Sequence, residues 1–190
     1  MSDNILLQEW LARYNSQPPE IRKELDKLAN DMGKAQLISI KRSYKSPETG
    51  DIFVFQPKEH IYFYGIVLNA HVSYMSFKDL YVVALFKIKS DTIQMRDFAV
   101  DYDKLFIPPL RVDRYYWNTG LFYKVGRLEC EEFMPTPSYG FYDSDCEHPF
   151  SDEYGNILDE RPEYLSIGVA TSIGVGYKIN KELIIDNTLI

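Results

Sequence analysis

The run Gly50-Asp51-Ile52-Phe53-Val54-Phe55 constrains the fold of this chain more than any other segment. It follows a stretch with turn composition, Ser46-Pro47-Glu48-Thr49-Gly50, and then reads as a strand. Successive side chains of a strand point to opposite faces, so Ile52 and Val54 share one face and Phe53 and Phe55 the other. All four are apolar. Such a strand needs cover on both sides, beneath helices or within a barrel. With 11 Phe, 15 Tyr and 2 Trp in 190 residues, the chain has ample material for that cover, and wholesale disorder is excluded.

More strands are expected downstream. Residues 61–68 form one, interrupted by Gly65, where a glycine marks a bulge or tight bend. Residues 80–88 form the next, after a short capped turn at Ser76-Phe77-Lys78-Asp79. Residues 91–103 read as a strand plus a loop. Residues 105–112 contain Pro108-Pro109, which restricts them to a sheet edge or an extended loop. Residues 120–129 and 164–170 are strand-like, and so are 173–180, with 181–185 extending the last.

Ahead of the strands, the period is helical. Leu7, Trp10, Leu11 and Tyr14 form one apolar stripe, and Ile21, Leu25, Leu28, Ala29 and Met32 a second. Residues 16–19, with two prolines, separate them, and Gly33 is a natural stop. Both stripes are expected to dock on the sheet; a separate partner-binding hairpin is the alternative. The expected fold is α+β: a mainly antiparallel, strongly curved sheet or SH3-like partial barrel with two N-terminal helices. We expect a single domain over 1–190, with a helical segment at 1–34 and a β-rich body at 36–190 carrying a long acidic loop at 131–163.

No run of about 18 apolar residues is present, so no membrane span is expected. Met1-Ser2-Asp3-Asn4 lacks a basic start followed by an apolar run, so no secretory signal is read there. Cys130 and Cys146 are too few for a disulfide scaffold. A cytoplasmic protein is the expectation.

The net charge of -7 is local. From Asp143 to Glu163 stand eight acids (Asp143, Asp145, Glu147, Asp152, Glu153, Asp159, Glu160 and Glu163) and one base, Arg161. The rest of the chain balances at 20 acids and 20 bases. This argues against broad nucleic-acid binding, which demands Lys and Arg, and favours a basic partner.

Catalytic and metal motifs are not legible. His60, His71 and His148 have no partner at metal-ligand spacing, and Cys146-Glu147-His148 offers two ligands at most, with Cys130 a distant third. Asp143-x-Asp145-x-Glu147 starts like a calcium loop, then fails with His148 at its sixth position and Tyr154 at its twelfth. There is no nucleophile elbow and no phosphate loop; Gly168, Gly174 and Gly176 suit close packing or turns. No cofactor is expected. The acidic segment is the best candidate site, because its charges alternate with rings that could anchor a protein partner. The expected set is Tyr139, Phe141, Tyr142, Asp143, Asp145, Glu147, Asp152, Glu153 and Tyr154. The competing reading is a solvated loop whose rings fold back onto the core.

Gly50-Asp51-Ile52-Phe53-Val54-Phe55-Gln56-Pro57, then Tyr64-Gly65-Ile66-Val67-Leu68, Val82 to Phe86 and Gly120-Leu121-Phe122-Tyr123-Lys124-Val125-Gly126 resemble the strands of a bacterial family, immunity protein 26. The resemblance covers roughly residues 45–130. It implies a cytoplasmic protein of a polymorphic-toxin system that neutralises a cognate toxin by binding it; a basic nuclease is a fitting target for an acidic inhibitor. It brings no catalytic residues. Two other classes stay open. One is an enzyme with a pocket inside the barrel, using carboxylates with His60 or His71. The other is a nucleic-acid-binding SH3-like barrel with Lys41, Arg42 and Lys45 as its basic strip.

Overall fold

A computed structural model describes residues 4–95 and 98–190. Met1 to Asp3 of the terminal reading, and Arg96 and Asp97 of the expected strand and loop at 91–103, lie outside the described residues. The fold is α+β. Five strands form one antiparallel sheet: β1 (Asp51–Lys58), β2 (Ile61–Tyr74), β3 (Phe77–Ser90), β4 (Leu105–Val112) and β5 (Phe122–Arg127), in the order β4-β3-β2-β1-β5. The sheet is not closed into a barrel. β4 and β5 are its edges, so the Pro108-Pro109 strand lies at an edge, where a missing N–H is tolerated.

The two-faced pattern of β1 is explained by two cores. Phe53 and Phe55 join Phe63, Val67, Trp117 and Phe122 on one face. Ile52 and Val54 join Tyr64, Ile66, Val82 and Phe86 on the other. Phe53 stacks on Phe122 at 4.3 Å between centroids and meets Trp117 edge-on at 5.6 Å, geometries that add to simple burial. Gly65 exists for Phe53: a Cβ there would lie 2.4 Å from that ring, and the β2–β3 register shifts at this point.

The entry to β1 is equally specific. Gly50 has φ +87, and a Cβ would meet the Leu128 carbonyl oxygen at 2.3 Å. Its N–H donates to Val67 at 2.8 Å and its carbonyl accepts from Leu128 N at 3.0 Å, tying the turn to the strand edge. The buried Asp51 carboxylate accepts the Glu48 N–H at 3.1 Å and pairs with the Lys124 ammonium at 2.5 Å.

The region from 131 onward is more ordered than a loop. α4 (Cys130–Phe133) starts it, and a second sheet follows, with β6 (Tyr139–Tyr142) between β7 (Phe150–Ser151) and parallel β8 (Tyr164–Ile167). α3 (Tyr115–Asn118) links β4 to β5 and delivers Trp117 to the core.

The expected strand at 173–180, with its extension at 181–185, is instead α5 (Ser172–Ile185). Thr171 caps it, its side chain accepting from Gly174 N at 3.1 Å. Val175, Ile179 and Leu183 are buried at helical spacing against the Phe53 face. Its β-branched Ile and Val residues gave the segment its strand-like composition. Gly176 serves a close approach: a Cβ would lie 2.0 Å from the Ala35 carbonyl oxygen, which also accepts from Asn180 Nδ2 at 3.2 Å. Gly176→Ala should therefore lower stability by about 2 kcal/mol in urea unfolding, although alanine gains about 1 kcal/mol of helix propensity. Stability equal to the parent would refute this packing.

α5 also explains why the two N-terminal helices do not dock on the sheet as expected. α1 (Ile5–Asn15) and α2 (Pro19–Asn30) form as read, but α5 already covers that face. α2 and the 3-10 turn Met32–Ala35 pack on α5, with Leu25 buried. α1 buries no residue, and Leu7 and Leu11 remain 53% and 47% exposed. Polar contacts hold it instead. Arg13 pairs with both Glu182 oxygens at 2.6 and 2.7 Å, and Arg161 reaches Glu9 at 2.6 Å.

Candidate partner-binding surface

Arg111 organises the region where the acidic segment meets the large sheet. It lies in β4 and is fully buried. Its guanidinium sits between two rings, 3.8 Å from the Tyr74 centroid and 3.6 Å from that of Phe141. Nε donates to the Glu153 carbonyl at 3.0 Å and Nη2 to the Asp152 carbonyl at 2.5 Å. Burial lowers its pKa, and Tyr74, Asp152 and Glu153 oppose that fall. One side chain thus rivets together the β4 edge, the far end of β2, the small sheet and the turn after β7.

That turn is closed by Asp152. Its carboxylate accepts from Tyr154 N and Asn156 N, both at 2.9 Å, and from Asn156 Nδ2 at 2.8 Å. Burial works to raise this carboxyl, but the hydrogen bonds from Asn156 and Tyr154 outweigh it, so its pKa falls below the usual value. Glu153 accepts from Asn69 Nδ2 at 2.9 Å, and the same amide donates to the Tyr154 hydroxyl at 2.9 Å.

The expected site residues therefore divide. Phe141 and Tyr142 are buried in β6, so their rings pack inward. Tyr139 is half-buried, and that burial pushes its hydroxyl pKa up. Asp152 and Glu153 are committed to internal hydrogen bonds. Asp143 is half-buried, with its carboxylate accepting from Asp145 N at 3.0 Å. Asp145, Glu147 and Tyr154 face solvent.

The residues that complete the surface come from elsewhere. Tyr74 and Phe77 pair across the β2–β3 hairpin, leaving Met75 and Ser76 as its connection. Met75 has φ +54 and is 81% exposed. A two-residue hairpin connection calls for that positive φ, which His60, His71 and Asp79 also adopt; what sets Met75 apart is a long apolar side chain left exposed there. It lines a cleft of about 500 Å³ together with Tyr74, Glu147, His148, Tyr154 and Ile157. Ile157 is 60% exposed and Tyr154 49%. Exposed apolar side chains with the Asp143 and Glu147 carboxylates beside them are the materials of a protein interface, an apolar centre with a polar rim. Met75 had one sequence signal, an apolar residue in a two-residue connection where glycine or asparagine is usual.

The residues of the other two readings lie elsewhere on the molecule. His60 and His71 are exposed near opposite ends of β2, and neither lines the Met75 cleft. Lys41, Arg42 and Lys45 are exposed on the segment before β1. Among the described residues, no group of three or more His, Cys, Asp or Glu could hold a metal ion. No helix of the described residues is long and apolar enough to cross a membrane.

The fold is α+β, and a cleft with exposed apolar side chains lies beside its acidic segment. The profile of the immunity protein 26 family matches residues 48–151, more than half of the chain, and the chain belongs to that family. Its members are immunity proteins of toxin systems. The matched span runs from the turn before β1 to β7, and so includes the Arg111 rivet and the Met75 hairpin. No curated protein and no solved structure matches the chain.

Proposed function

We propose that this immunity protein neutralises its cognate toxin by direct binding, through the face built from Met75, Tyr154 and Ile157 with Asp143, Asp145 and Glu147 at its rim. The observation that carries the reading is the exposed, left-handed Met75 beside two further exposed apolar side chains in an acidic setting. The negative rim favours a basic toxin surface, a protein partner over nucleic acid, and action by occupancy in the cytoplasm. The Arg111 and Asp152 contacts hold the face in shape before the partner arrives, which lowers the entropy cost of binding.

The test separates anchors from rim. Met75→Asp combined with Ile157→Asp should weaken binding to the cognate toxin by at least about 100-fold, roughly 2.7 kcal/mol, and abolish protection. Asp143→Asn, Asp145→Asn and Glu147→Gln together should mainly slow association and flatten its salt dependence. Unchanged affinity in the first variant, with its fold intact, would remove this face as the binding site.

A further inference from the structure

A second cleft, also of about 500 Å³, lies between α1, β4, β8 and α5 and shares no lining residue with the Met75 cleft. Its walls are mostly apolar: Leu6, Leu7 and Trp10 from α1, Phe106 and Ile107 from β4, and Leu165 from β8. Its size falls within the range of small-molecule sites, about 300–1,000 Å³.

The charges in it are unbalanced. Two carboxylates line it, and both are taken: Glu182 by Arg13 and by Lys87 at 3.5 Å, and Glu9 by Arg161. Two ammonium groups line it as well, Lys178 and Lys181. They stand three residues apart on α5, so they share a helix face and repel each other. Among the described residues neither has a carboxylate within ion-pairing distance; Lys181 instead sits 3.3 Å from the centroid of the Trp10 ring. Burial lowers the pKa of Lys178, and burial, helped by the Lys178 and Arg13 charges and opposed by Glu182, brings that of Lys181 down to about 8. Partly buried cations without a direct ion-pair partner are costly to hold, and an incoming anion recovers that cost. Local positive charge also stands against a chain of net charge -7.

We propose that this cleft binds a small amphiphilic carboxylate, with its apolar body against Leu7, Ile107 and Leu165 and its carboxylate on Lys178 and Lys181. The charge complementarity names the head group, and the apolar lining names the tail. Acetate supplies only the head and a cationic detergent only the tail, so neither satisfies the site.

Calorimetric titration of the full chain with decanoate, acetate and decyltrimethylammonium tests this. Decanoate should bind at one site at least about tenfold more tightly than either of the others. Lys178→Gln with Lys181→Gln should weaken decanoate binding at least about tenfold and leave toxin binding unchanged, so this proposal and the toxin reading fail separately. In the unaltered protein, the Trp10 indole N–H resonance should shift as decanoate is added. Equal binding of the two amphiphiles, an unaffected double variant, or a silent Trp10 resonance would each overturn the proposal. Binding of an acidic, leucine-containing peptide in place of decanoate would assign the cleft to a polypeptide and overturn it too.

Discussion

Arg111→Ala should destabilise the protein by about 3–5 kcal/mol in urea unfolding. The size follows from what the side chain touches. Its removal leaves the Asp152 and Glu153 carbonyls without their donor, at about 1–3 kcal/mol for each buried group left unpaired. It also empties the space between the Tyr74 and Phe141 rings, losing cation–π contacts worth about 0.5–2 kcal/mol. Relief from burying a charge offsets part of this, because desolvation already disfavours the guanidinium there. Arg111→Met keeps the packing between the rings and loses the donors, so it should cost less than alanine. Arg111→Lys should not rescue the parent stability, since an ammonium lacks the planar fork that reaches two carbonyls and stacks on two faces. Toxin affinity should fall with the alanine variant as well, because the turn that carries Tyr154 loses its anchor. An alanine variant within about 1 kcal/mol of the parent would show that the rivet is not structural.

Gly50→Ala should cost about 3 kcal/mol, seen as a fall in Tm of about 6–12 °C for a chain of this size. Two effects add. An alanine at φ +87 pays the left-handed penalty of about 1–2 kcal/mol. Its Cβ would also collide with the Leu128 backbone carbonyl at 2.3 Å, and that oxygen sits on backbone with no flexible side chain to yield. The collision opens the contact between the β1 entry and the segment after β5. Gly33→Ala is the control: nothing lies within 4 Å of its added Cβ and its φ is not left-handed. That variant should match the parent within about 0.5 kcal/mol or exceed it. Equal losses at the two positions would indicate a general effect of glycine replacement and not the geometry of Gly50.

Features carried by local chemistry were legible in the sequence. The alternation in residues 52–55 called for cover on both faces, and both cores are there. Gly65 marked the irregularity beneath Phe53, and Pro108-Pro109 marked an edge strand. The helical periods of α1 and α2 were correct as to element but not as to partner. The reading failed where the same residues suit two states. Ile173 to Ile185 is β-branched and glycine-rich, yet its burial at Val175, Ile179 and Leu183 makes it a helix once Ala35 and the Phe53 face are adjacent. Once α5 took that face, the α1 stripe was left half-exposed.

The candidate site divides along the same line. Composition located the acidic, ring-rich segment, because charge sums along a chain without reference to its fold. It could not tell which rings point inward: Phe141 lies against Arg111, while Tyr154 faces solvent, and both are aromatic residues among acids. Met75 and Ile157 carry no charge signal and come from different parts of the chain, so only packing brings them to one cleft. By itself, then, the sequence determined the strands of the family, the two-sided core and the sign of the charge, all of which depend on residue type and short-range period. The tertiary structure alone decided the helical state of α5, the buried seat of Arg111, and which side chains of the acidic segment stay exposed. Each of these depends on neighbours distant in the chain competing for the same limited surface.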